Sequence, residues 1–188
     1  MEDVLKRIIR DYLLLALMAG VVVFLDQWSK AYVRNNLALG NSWAPWPWLM
    51  PYARIVHWYN TGVAFGLFQG RSQLFAVLAV LVALAIIYYF PRVPANDWTL
   101  RIAMGLQLGG AVGNLVDRIF FVGQVTDFIS VGNFPVFNLA DASITVGVLV
   151  LLLGIWIQDR KKPDQATIAP PPENDAIHKD INIKEDQQ

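Results

Sequence analysis

The sequence predicts a membrane α-helical protein with four transmembrane helices, a small extracytoplasmic β-sheet and an interfacial Trp-rich helix. Three observations carry this. Hydrophobic residues make up 55% of the 188 and charged residues only 16%, with a mean hydropathy of +0.41, too apolar for an ordinary soluble domain. Long apolar runs recur along the chain, separated by basic or proline-bearing breaks. Two of the intervening segments are rich in β-branched and aromatic residues bounded by turn signals. The length suits one domain. A formal net charge of zero leaves no electrostatic case for a nucleic-acid partner. The absence of cysteine excludes disulfides, thiolate metal sites, a cysteine nucleophile and lipid attached to cysteine. Only His57 and His178 occur, which speaks against a histidine-rich metal site.

The first span is read at roughly residues 10–28, behind Lys6, Arg7 and Arg10. A basic flank before an apolar core also describes a cleavable signal peptide. However, no small-x-small site follows at Leu25–Lys30, and further apolar runs do, so the segment is retained. Asp26 and Lys30 are four apart, share a helix face and can pair, most simply as an interfacial salt bridge. Trp43, Trp46 and Trp48, interrupted by Pro45 and Pro47, suit a segment at the headgroup level. Ala53–Tyr59 reads as a strand with His57 as a structural residue, Asn60-Thr61-Gly62 as a turn, and Val63–Gly66 as a returning strand.

The second span, Ser72–Phe90, has no charge between Arg71 and Arg92 and is closed by Pro91 and Pro94. Asn96 or Asp97 caps the third, which begins near Leu100 and carries Gly105, Gly109 and Gly113 as a smooth stripe for close helix packing in lipid. Gly109–Gly113 superficially suggests a phosphate loop, but no Gly-Lys-Ser/Thr follows. Phe120–Val131 reads as extended chain, and Gly132-Asn133 with Phe134-Pro135 as a turn that folds it back. The fourth span is Leu139–Ile157, stopped by Arg160-Lys161-Lys162. Residues 1–162 thus form the membrane domain, and the polar, Pro-interrupted 163–188 reads as a disordered tail.

Four spans put both termini on one side. That side holds Lys6, Arg7, Arg10, Arg92, Arg101 and Arg160–Lys162, so the termini are expected in the cytoplasm. Asp26, Asn60, Asn114, Asp117, Asp127, Asn138 and Asp141 then all reach the outer rim. Asp127 and Asp141 flank the turn, and Asp141 stands at the mouth of a membrane-length run. An acid there costs less than the about 2.5–3.5 kcal/mol of a helix centre, but enough to suggest chemistry. Two neighbouring carboxylates cannot both ionise cheaply, so such a pair separates into an acid and a base sharing a water. Asn114 and Asn138 can orient the acids without adding charge.

The plain alternative is one acid capping a helix and one paired with Arg118. A transporter using the acids as relays, a scaffold of capped helices, and an oxygen-ligand metal site at Asp117, Asp127 and Asp141 also compete. Against the transporter, the acids lie at the rim rather than the midplane, and no internal repeat is found.

Five motifs resemble those of lipoprotein signal peptidase (signal peptidase II), in the family's order: Asp26-Gln27-Trp28-Ser29-Lys30, Asn60–Gly66, Gly109–Arg118, Val125-Thr126-Asp127-Phe128 and Phe137-Asn138-Leu139-Ala140-Asp141. The resemblance implies an aspartyl endopeptidase of the bacterial inner membrane. It would cut signal peptides from diacylglyceryl-modified prolipoproteins immediately before the lipidated cysteine, with the site at the outer face. It implies Asp127 and Asp141 as the catalytic pair. Asp26, Lys30, Asn60, Gly62, Asn114, Arg118 and Asn138 would bind substrate or support the site, and Asp117 would be structural. It further implies no metal or other cofactor, contact with membrane lipids, inhibition by globomycin-type cyclic peptides, and a monomer. The tail after Lys162 belongs to none of the motifs.

Overall fold

The computed structural model describes residues 1–62 and 69–160. The returning strand expected at Val63–Gly66 and the tail expected at 163–188 lie outside the described residues. One compact unit covers Met1–Ile155; a second begins at Trp156. Of the second unit only the helical end is described, where the Arg160 guanidinium sits 4.0 Å over the Trp156 ring.

Four α-helices stand among the described residues: α1 (Glu2–Asn36), α2 (Ser72–Tyr89), α3 (Trp98–Phe120) and α4 (Leu139–Arg160). The α1, α2 and α4 segments are long and apolar enough to cross a membrane. Helix α3 is long enough too, but Arg101, Gln107, Asn114, Asp117 and Arg118 dilute its apolar character. Asp97 caps it, accepting from the Leu100 N–H at 3.1 Å. The first helix runs well beyond residues 10–28 at both ends. Propensity explains this: Glu2–Arg10 and Ser29–Asn36 contain no Pro or Gly to stop it.

The glycine stripe of α3 does what its spacing suggests, against α1. A Cβ at Gly109 would lie 2.5 Å from the Val22 side chain, and one at Gly113 would lie 2.7 Å from Asp26 Oδ2. Around this seam Leu15, Ala19, Ile86, Phe90 and Leu108 form the apolar core.

Strands β1 (Ser42–Trp43), β2 (Ala53–Asn60) and β3 (Val125–Val131) make one antiparallel sheet in that order. Residues 120–124, expected to be extended, instead finish α3 and turn, with Val122 and Gly123 both at positive φ. Only from Val125 does the chain pair with Asn60. In place of a Trp-rich helix, β1 is followed by a single 3₁₀ turn at Pro47–Leu49, with Trp46 and Trp48 stacked at 5.9 Å. Pro45 and Pro47 withhold the N–H groups that a longer helix would use. The pairing of β2 with β3 is interrupted between Ile55 and Trp58. His57 lies in that irregularity and donates from Nδ1 to the Leu37 carbonyl at 2.7 Å, a structural role.

After β3, Gly132 turns the chain at φ +50°, and Phe137 returns to pair with Ile129. The expected fold-back is therefore present. It delivers Asn138 and the start of α4 beside β3.

Candidate active site

Asp127 owes its position to strand register. On β2 and β3, Asn60 faces Val125 and Trp58 faces Asp127. Asn60 and Asp127 are thus diagonal neighbours on one face, within reach of a side-chain bond. The Asn60 amide donates to Asp127 Oδ2 at 3.0 Å, while its own oxygen accepts from the Gly62 N–H at 2.9 Å, which fixes the amide's orientation. The other carboxylate oxygen accepts from the Asn138 amide at 2.7 Å. Asp127 is only 2% exposed. That burial, reinforced by the Asp141 charge, pushes its pKa up from 3.8 to about 7, against the two amides and Lys30.

Asp141 is placed by helix capping. Asn138 precedes the first residue of α4; its Oδ1 accepts from the Asp141 N–H at 3.0 Å, and Asp141 Oδ2 accepts from the Asn138 N–H at 3.2 Å. This reciprocal box uses Asn and Asp where Ser/Thr and Glu are usual, and it sets the carboxylate at the positive end of the helix dipole. Asp141 Oδ1 accepts from the Asn114 amide at 2.7 Å. Both carboxylates line one cavity of about 500 Å³, together with Asn60, Gly62, Asn114 and Arg118.

Beneath them lies a layer of buried ions. Lys30 is fully buried; its Nζ is 2.8 Å from Asp26, 3.4 Å from Asp117, and donates to Asn114 Oδ1 at 3.0 Å. The Asp26–Lys30 pair is therefore internal rather than interfacial. Asp26 also accepts from the Ala140 N–H at 2.9 Å, tying α1 to the first turn of α4. Asp117 accepts from the Thr126 N–H at 2.8 Å and the Gln27 amide at 3.0 Å, so it joins α3 to β3 and α1. It faces this layer, away from the cavity. The three-acid metal set is not assembled: among the described residues no group of three His, Asp or Glu side chains is placed to hold an ion.

Arg118, one residue on, points the other way into the cavity, with an Nη donating to the Asn114 carbonyl at 3.3 Å. The alternative of one capping acid and one acid paired with Arg118 is half met. Asp141 does cap α4, but Asp127 takes two Asn amides and, among the described residues, no ion pair.

Sequence reasoning gave no role to Gln27 or Arg34. Arg34 donates to Thr126 Oγ1 at 2.9 Å and lies 3.8 Å from Asp117. The signal was present: Asp26, Lys30 and Arg34 form an i, i+4, i+8 ladder on one helix face.

The chain is similar to known proteins over most of its length. Residues 18–157 match the family model described as signal peptidase (SPase) II. Lipoprotein signal peptidase of Moorella thermoacetica is 40% identical over 140 residues, covering 74% of this chain and 89% of that one. The enzyme of the same name from Anoxybacillus flavithermus is 35% identical over 157 residues, covering 81% and 91%. A solved bacterial membrane enzyme superposes with a TM-score of 0.73 at 28% identity, over 80% of this chain and 92% of that one. With the family model spanning most of its length and relatives aligned across nearly their full extent, the chain belongs to the signal peptidase II family.

Proposed function

We propose that this chain is an aspartyl endopeptidase that removes signal peptides from diacylglyceryl-modified prolipoproteins, with Asp127 as the acid and Asp141 as the base. The observation that carries the reading is a single residue, Asn138. Its amide holds Asp127 and its backbone N–H holds Asp141, so carboxylates from a strand and a helix meet in one cavity.

Asp127, pushed up to about 7, is about half protonated at neutral pH, and in that form can lend its proton to a carbonyl oxygen. Asp141, surrounded by donors at a helix N-terminus, accepts one. In the proposed reaction Asp141 takes a proton from a water held between the acids as that water attacks the carbonyl carbon preceding the lipidated cysteine. Asp127 protonates the carbonyl oxygen. As the tetrahedral diol collapses, the C–N bond breaks, Asp141 gives its proton to the departing cysteine nitrogen and Asp127 recovers its own. The products are a signal peptide ending in a carboxylate and a lipoprotein beginning with a free amine. Asn60, Gly62, Asn114 and Asn138 hold the acids in place, Arg118 borders the substrate cavity, and Asp26, Lys30 and Asp117 support the layer below.

Four spans, cytoplasmic termini and a site at the outer face of the inner membrane belong to the same reading, supported by the basic residues of the 1–10, 92–101 and 160–162 segments. Single cysteines at Asn41 and Gln165 in this cysteine-free chain test it with an impermeant thiol reagent. Labelling at Asn41 alone is expected, and labelling at Gln165 alone would reverse the topology. The surface-lying Trp segment, contact with lipids, monomeric action, inhibition by globomycin-type peptides and a dispensable tail are part of the proposal as well.

The decisive experiment incubates purified protein with a diacylglyceryl-modified preprolipoprotein and weighs the products. A fragment beginning at the lipidated cysteine is expected. No cleavage, or equal cleavage of the unlipidated precursor, would overturn the assignment.

A further inference from the structure

A second cavity opens beside the first. It holds about 230 Å³ and is lined by Phe75, Leu78, Ala79 and Val82 of α2, by Gln107, Ala111, Asn114 and Arg118 of α3, and by Ile144 of α4. Asn114, Arg118 and Ile144 border both cavities, so the cleft leads away from the dyad along α3. Residues 107, 111, 114 and 118 fall on one helix stripe. Its walls are apolar, yet it offers two idle polar groups. The Nε of Arg118 is buried with no hydrogen-bond partner, and the Gln107 amide has none among the described residues. Gln107 is half-buried and its Cγ packs against Gly147 of α4. An amide in such a place commonly bonds across to a neighbouring helix. Here it does not.

The substrate supplies a partner. A peptide bond inside a helix cannot reach two carboxylates at once, so the residues before the scissile bond must leave the helical conformation. Unwound backbone at membrane depth is tolerated only where its N–H and C=O groups find partners. Gln107 carries both a donor and an acceptor, and so can serve the C=O and N–H of one extended residue. It lies seven residues from Asn114, about 10 Å along the helix at about 1.5 Å per residue. Extended chain covers that distance in about three residues at roughly 3.3 Å each. The signal peptide runs from the scissile bond back into the membrane, in the direction that α3 takes from Asn114 to Gln107.

We propose that this cleft takes the unwound signal-peptide residues that precede the cleavage site, and that Gln107 is a positioning residue bonded to the peptide backbone about three residues before it. The proposal rests on the peptidase reading above.

The test uses the full-length protein and synthetic diacylglyceryl lipopeptides spanning the cleavage site. Gln107→Met keeps length and packing against Gly147 while removing the amide, so its melting temperature should equal that of the parent. Loss of one neutral hydrogen bond worth about 1 kcal/mol lowers kcat/KM about fivefold. A second series replaces one backbone amide at a time by an ester. Replacement at the contacted position, about three residues before the scissile bond, should slow the parent by a similar factor and slow Gln107→Met no further. Equal kcat/KM for parent and Gln107→Met, or strictly additive effects at every position, would overturn the inference while leaving the peptidase reading intact. Sensitivity of the Gln107 effect to ether-linked in place of ester-linked lipid would overturn it in favour of the acyl ester as partner. Failure of the parent to cut any lipopeptide would instead sink the peptidase reading itself.

Discussion

The proton on Asp127 is tunable through Asn60. The Asn60 amide donates to Asp127 Oδ2 at 3.0 Å, and that bond favours the ionised form, opposing burial and the Asp141 charge. Asn60→Ala removes the donor. A hydrogen bond to a charged acceptor is worth about 1.5–3 kcal/mol, and one pKa unit corresponds to about 1.4 kcal/mol, so the shift is about one to two units upward. In the proposed reaction, activity requires protonated Asp127 and is lost as pH rises through its pKa. The alkaline limb of kcat/KM, near 7 in the parent, should therefore move up by about one unit or more in the variant. The limb belongs to the coupled pair, so its position is compared only between proteins that share Asp141. The same substitution frees the Gly62 N–H and lowers the amplitude, which leaves the limb's position readable. Measurement of kcat/KM for a lipidated substrate across pH decides the matter. An unmoved limb, or one moved toward acid, would refute the assignment of the proton to Asp127.

Asp127→Asn and Asp141→Asn should each lose roughly 100- to 10,000-fold in turnover, and the double variant little more than the worse single one, since the two act as a unit; additive losses would point to two structural acids. Asp127→Asn should also change how stability depends on pH. Because the folded pKa of about 7 exceeds the unfolded 3.8, the native state holds the extra proton, and the parent loses stability as pH rises between those values. The Asn variant lacks that loss, so its melting temperature should gain on the parent's between about pH 4 and about pH 7; a constant difference would contradict the raised pKa. Gly113→Ala places a methyl 2.7 Å from Asp26 Oδ2 and should destabilise the protein by about 1–3 kcal/mol, read as a lowered melting temperature; wild-type stability would show that the α1–α3 seam can give.

Much of this was legible because the signals are local. Asp26 and Lys30 at one turn's spacing, the glycine stripe and the Gly132 turn all follow from short-range geometry. The end of α3 was less so. Phe120 and Phe121 suit a strand, but the left-handed turn at Val122 and Gly123 depends on packing that no propensity carries. Gln27 and Arg34 escaped notice for a related reason. Their partners, Asp117 and Thr126, lie roughly ninety residues away, and only the folded α1–α3–β3 junction shows what a surface-type side chain finds there. The resemblance implies Asp127 and Asp141 as the catalytic pair. The structure adds the reason one of them is buried and the other caps a helix.

The division of the site into two layers explains why so many ions are buried beside a pair that must hold one proton. Ion pairs lie in the lower layer, where Lys30 lies between Asp26 and Asp117 and Arg34 is 3.8 Å from Asp117, while Arg118 borders the dyad cavity with no ion pair to either acid among the described residues. Ions there are matched and hydrogen-bonded, the condition under which buried charge is tolerated. The dyad layer is furnished with neutral amides instead: Asn60 and Asn138 on Asp127, Asn114 on Asp141. A cation bonded directly to either acid would favour ionisation and strip the proton that the proposed reaction needs. Asn114 connects the layers, accepting from Lys30 Nζ on its oxygen and donating from its nitrogen to Asp141. The lysine thereby orients the amide without touching the dyad. Placing the positive charge one amide away holds the geometry rigid while leaving the raised pKa of Asp127 to burial and the neighbouring Asp141 charge.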